Sequence, residues 1–259
     1  MMKPIQTRMN NGLTYIAALI SLTLIITLIH CDSTENEPDY SLIGSWDLSN
    51  GFSPTSPHMI NFYSSGYYTV YSSCESGLTT SEPLEIGTYE VSKDELKITS
   101  HLQNGCGGFD DDENPDQIPP GPVSLGFDNE GDVAIIAGGL RLTRIVDEAQ
   151  PIVGSWELPE GFNPDRPHII TFYNSGHYVV YTDCSNEEAP TPNEPLEIGT
   201  YTATATELTI ASHLQNGCGG FDDPEDVSSP PTGAISIQLS EDGNTLTLVN
   251  DNLTLTRIR

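Results

Sequence analysis

The sequence predicts an all-β protein of two tandem antiparallel domains, each with about eight short strands. Three observations carry that expectation. The segment His101-Leu102-Gln103-Asn104-Gly105-Cys106-Gly107-Gly108-Phe109-Asp110-Asp111 recurs letter for letter as residues 213–223, and an internal repeat is read before any other signal. Apolar residues alternate with a period of two through each copy, as they do in half-buried strands. Turn signals such as Ser65-Gly66 and Asn129-Glu130-Gly131 punctuate the runs. Short strands so spaced, with no convincing helix between them, belong to a barrel or a sandwich.

The repeats occupy residues 42–146 and 152–259 of the 259. Each is large enough to bury a modest core. Gly44-Ser45-Trp46 matches Gly154-Ser155-Trp156, and Pro57-His58 matches Pro167-His168. The block from Glu82 to Tyr89 recurs unchanged from Glu194 to Tyr201, and Leu142-Thr143-Arg144-Ile145 returns as Leu255-Thr256-Arg257-Ile258. The join, residues 147–151, is short, so the domains should touch.

Taken in order, His58, Ile60 and Phe62 fall on one face of the first alternating run, with Met59, Asn61 and Tyr63 on the other. After the Ser-Gly turn, Tyr67 to Ser73 is rich in the tyrosine, threonine and valine that strands favour. Leu84, Ile86 and Thr88 alternate again, and Leu96 and Ile98 follow a Lys93-Asp94 turn. Past the glycine-rich segment come Val123 to Phe127, Val133 to Ile136 and Leu140 to Ile145. The second repeat ends with Ile235 to Leu239, Leu246 to Val249 and Leu253 to Ile258.

Residues 1–30 read as an export signal: Lys3 and Arg8, then an uncharged run from Leu13 to Ile29. Leu28-Ile29-His30-Cys31 resembles a bacterial lipobox, which implies lipidation of Cys31. The rival is an uncleaved signal anchor beginning at Leu13. Both place the chain outside the cytoplasm and tethered to a membrane, on the periplasmic side or the cell surface. Residues 31–41 form an acidic linker. Each repeat then keeps one cysteine pair, and an oxidising compartment favours the bridges Cys74–Cys106 and Cys184–Cys218. Closing loops of about 30 residues would contribute roughly 3–4 kcal/mol each. With 9 basic against 37 acidic residues, the chain repels nucleic acid and stays soluble by self-repulsion. No cofactor is expected; the acidic loops read as solvated, with calcium the weaker alternative.

A Gly-x-Trp on the first strand and an arginine near the end of the last resemble the lipocalin and fatty-acid-binding-protein superfamily. The pattern falls on Gly44, Trp46 and Arg144, and again on Gly154, Trp156 and Arg257. The resemblance implies two small up-and-down barrels, with the tryptophan closing one end and the arginine packed across its ring. The mid-barrel Thr-Asp-Tyr motif is missing.

Candidate ligand-lining residues are His58, Phe62, Tyr67 and Tyr71, with His168, Phe172, His177 and Tyr181 in the second copy. They would surround a small apolar pocket, unless side chains simply fill the barrel. The metal candidates are His101, Asp110 and Asp111, and His213, Asp222 and Asp223. No nucleophile elbow, phosphate loop or zinc-protease signature occurs. The expectation is a non-catalytic envelope lipoprotein binding a small apolar ligand. The alternative is an interaction protein with solid barrels and an acidic surface that meets a cation or another envelope protein.

Overall fold

The computed structural model describes residues 41–48, 53, 58–72, 84–104, 108–109, 117–165, 167–182, 196–216, 220–221 and 229–259. Cys31, the four repeat cysteines, Asp110, Asp111, Asp222 and Asp223 lie outside them. Strands β1 (Gly44–Leu48), β2 (His58–Phe62), β3 (Tyr67–Ser72), β4 (Leu84–Ser92), β5 (Glu95–Gln103), β6 (Val123–Asp128), β7 (Val133–Ile136) and β8 (Leu140–Arg144) form the first barrel. The second contains β9 (Gly154–Glu157), β10 (His168–Phe172), β11 (His177–Thr182), β12 (Leu196–Ala203), β13 (Glu207–Gln215), β14 (Ile235–Leu239), β15 (Thr245–Leu248) and β16 (Leu253–Arg257). Every neighbour pairing is antiparallel and sequential, and each barrel closes last strand on first. These are two eight-stranded up-and-down barrels in tandem, a lipocalin-like architecture.

Local chemistry sets the connections. Gly66 turns the β2–β3 hairpin, its N–H bonded to Tyr63 O. Asn129 and Glu130 both sit at positive φ, 53° and 58°, as tight strand connections of this hand require. Closure is by the expected pair. Arg144 lies 4.1 Å over the Trp46 ring and Arg257 4.2 Å over Trp156, each in cross-strand register with its tryptophan. Gly44 and Gly154 share a φ of 134°, and a Cβ at either would strike the guanidinium.

Burial divides the strands in two. On β6 and β8 it alternates, whereas β2, β3, β10 and β11 are buried on both faces. Their inner faces make the two barrel cores. Their outer faces meet each other, in a cluster of Met59, Tyr71, Ile86, Ile145, Val153, Tyr173, Val179, Tyr181 and Ile198. The two barrels therefore touch through an apolar cluster.

That contact pairs like with like. Tyr71 and its counterpart Tyr181 approach to 6.4 Å between ring centres. Tyr63 lies within electrostatic reach of Glu157, and its counterpart Tyr173 within reach of Asp47, the counterpart of Glu157. Strands β1 and β9 also meet. Equivalent residues in reciprocal contact define a pseudo-two-fold, isologous interface inside one chain.

Candidate functional site

The two blocks that the repeats share without change meet at one buried carboxylate. Glu85, on β4, has no exposed surface. Its Oε1 accepts from Tyr68 Oη at 2.6 Å and from the Phe109 backbone N–H at 3.1 Å. His101, on β5, places Nε2 3.2 Å from Phe109 O and 3.7 Å from Glu85 Oε1. The second barrel repeats the arrangement: Tyr178 Oη and the Phe221 N–H donate to Glu197 Oε1 at 2.7 and 2.9 Å. His213 Nε2 stands 3.0 Å from Phe221 O and 3.8 Å from Glu197 Oε1.

The ladder explains why such a hub exists. Strand β5 pairs with β6 only at Glu95 and Leu96, and β13 with β14 only at Glu207 and Leu208. Beyond those residues neither ladder continues among the described residues, and an open edge must be covered. Phe109 packs there, its ring 5.3 Å from Tyr68 and 6.0 Å from Phe62. A backbone segment carried into a barrel needs partners for its N–H and C=O. Glu85 accepts the first and His101, protonated at Nε2, donates to the second. Gly108 is required beside it, because a Cβ there would overlap the Glu85 carboxylate. Register shifts in the β4–β5 ladder flank Gly87, next to this point, and bulges re-aim side chains in this way. Gly108-Phe109 acts as a plug, and Glu85 and His101 are its latch.

Of the residues expected to line a pocket, Phe62 and Phe172 do face the interior. Tyr67, Tyr71 and Tyr181 do not, and this corrects the expectation. The inward residues of β3 and β11 are Tyr68, Val70, Tyr178 and Val180. Tyr71 and Tyr181 belong to the inter-barrel cluster, Tyr67 packs 5.6 Å from Phe162, and His177 bonds Ser175 in the exposed turn. A strand buried on both sides gives no polar face to mark which side is outside, and a one-residue slip exchanges the faces. His58 and His168 sit at the strand rims, bonded through Nδ1 to Ser72 and Thr182 at 2.7 and 2.5 Å. Burial pushes both imidazoles below their ordinary pKa.

The interiors are filled with rings. Phe62 meets Tyr89 edge-on at 5.0 Å and tilts against Tyr68 at 6.3 Å, and Phe172 repeats this with Tyr201 and Tyr178. His101 and His213 stand beside Glu85 and Glu197, but no group of three or more histidine, cysteine or acidic side chains is set to hold a metal among the described residues.

Sequence reasoning passed over Glu85, Tyr68 and their counterparts, and also the interface carboxylates Asp47 and Glu157. The signal for Glu85 was present. Two invariant blocks in otherwise diverged repeats are explained if they touch. No protein-family model matches the chain, and no curated protein matches it.

Proposed function

We propose that this chain is an exported, membrane-anchored lipoprotein whose paired barrels serve as a non-catalytic interaction module of the cell envelope. The observation carrying the reading is the ring-filled interior: Trp46, Phe62 and Tyr68, and their counterparts, are each at 0% exposure. A pocket binder keeps a cavity of several hundred cubic ångströms in that place. Glu85 and Glu197 are sealed from solvent and occupied with backbone, whereas a general base must reach its substrate's proton. The acidic surface suits a basic patch on an envelope partner or divalent cations. Lipidation at Cys31 and bridges Cys74–Cys106 and Cys184–Cys218, which would staple each plug to the end of β3 or β11, complete the reading.

Two measurements test it. Mass spectrometry of the chain from membranes should find a diacylated or triacylated Cys31, lost in Cys31→Ala together with membrane retention. Titration with a neutral apolar fluorophore should give no saturable binding at two per chain. Such binding would restore the pocket reading of the barrels, and an unmodified Cys31 would remove the lipid anchor in favour of a signal anchor beginning at Leu13.

A further inference from the structure

We infer that the cleft on the pseudo-two-fold axis, between the barrels and not inside either, is a binding site for a small organic anion with an apolar body. The cleft has a volume of about 530 Å³, within the range of small-molecule sites. Its walls come in matched pairs: Gly44 and Gly154, Ser45 and Ser155, Arg144 and Arg257. Ile145 and Ile258 supply apolar surface, and Arg259 adds a third guanidinium at the rim.

Charge points to the ligand's sign. The chain carries 37 acidic residues against 9 basic, yet three arginines converge here. Among the described residues the only arginine–carboxylate pair is Arg141 with Asp128, elsewhere on the first barrel. Arg144 is bonded instead to the carbonyls of Ser41, Ile43 and Gly131. Arg257 is bonded likewise to those of Pro151, Val153 and Gly243, and Arg259 to those of Asp242 and Gly243. Carbonyls orient a guanidinium without neutralising it, and although Asp132 acts electrostatically on Arg144 and Asp242 on Arg259, neither carboxylate forms an ion pair with its arginine. A guanidinium offers five N–H donors, and these bonds leave donors over on each. Asp147 and Glu148 line the same cleft from the join, so they oppose an anion and limit it to one charged head. Partial burial strengthens the attraction of the remaining positive charge, and the isoleucines reward an apolar body.

This site does not depend on the function proposed above, because solid barrels leave the cleft unchanged. Octanoate, octyl phosphate, octanol and inorganic phosphate are the probes, titrated calorimetrically into the full chain and followed by tryptophan fluorescence. The chain has two tryptophans, each under a cleft arginine. Expected is one octanoate or octyl phosphate per chain, with octanol and inorganic phosphate at least about tenfold weaker and binding that falls as salt rises. The preference between the two amphiphiles tells a carboxylate ligand from a phosphate one. Val146→Glu adds a carboxylate at an exposed lining position and leaves both Arg–Trp stacks in place, and should weaken binding about tenfold or more. Arg259→Ala should weaken it about threefold. Absence of saturable binding, a stoichiometry of two, equal affinity for octanol, or a Val146→Glu variant that binds normally would overturn the inference.

Discussion

At the scale of single residues, the hub at Glu85 makes the sharpest prediction. Replacing Glu85 by alanine removes the acceptor that the Tyr68 hydroxyl and the Phe109 N–H share in a dry interior. Loss of this buried acceptor, which serves two donors, should cost about 2–4 kcal/mol, read by denaturant unfolding. Glu85→Gln keeps an acceptor at Oε1 and should cost about 1 kcal/mol. Hydrogen exchange at the Phe109 amide separates a latch from generic packing. It should accelerate strongly in Glu85→Ala while amides of β7 and β8 stay protected. Equal acceleration throughout the barrel would show that Glu85 merely stabilises the whole. The same cycle at Glu197 and Phe221 should behave alike, since the two hubs agree within 0.2 Å in each contact.

At the scale of the element, β2 contains both faces of the fold in consecutive residues. Ile60 points into the barrel core and Met59 into the other barrel, where Thr171 Oγ1 lies 2.9 Å from its sulfur. Ile60→Glu buries an unpaired charge among rings and should unfold the first barrel, at a cost above about 4 kcal/mol. Met59→Glu should leave both barrels folded by circular dichroism but loosen their contact, raising the radius of gyration in small-angle scattering. If the two substitutions behave alike, the faces are misassigned.

The same strand explains what was legible in the sequence. Alternation, turn residues and the Trp46/Arg144 pattern were enough for strand order and closure, because a barrel is specified by local pairings. Which face looks inward was legible on β2, where Phe62 and His58 share a side. On β3 it was not, because Tyr67, Thr69 and Tyr71 are as fit for a core as Tyr68 and Val70. On β4 the apolar Ile86 faces the other barrel, while the barrel interior receives Glu85 and Tyr89. A buried carboxylate runs against ordinary partitioning, and only its contact with a segment remote in sequence accounts for it.

At the scale of the molecule, the interface between barrels should respond to pH through two mirrored carboxylates. Burial raises Asp47 from 3.8 to about 6 and Glu157 from 4.5 to about 7. Among the described residues no cation acts on either from the other barrel. Tyr173 faces Asp47 and Tyr63 faces Glu157, and Glu157 Oε2 is buried without a hydrogen-bond partner. A carboxyl whose folded pKa lies above its unfolded one is protonated in both states at about pH 3, where it imposes no penalty. As pH rises from about 4 to about 7, the unfolded chain ionises first and the folded state loses stability relative to it. The full penalty stands above about pH 7. At about 1.4 kcal/mol per unit, reduced for partial solvent access, each group amounts to roughly 1–3 kcal/mol. His58 and His168 act in the opposite sense, since their lowered pKa destabilises the fold as pH falls below about 6.5, and so the wild-type profile alone is ambiguous. The double variant Asp47→Asn, Glu157→Gln retains both histidines and removes only the carboxylate contribution. It should be more stable than wild type at pH 8 by roughly 2–6 kcal/mol, with the difference shrinking to near zero at pH 4. A constant offset between the two profiles would mean that neither carboxylate titrates in the contact, and that the barrels are joined by their apolar faces alone.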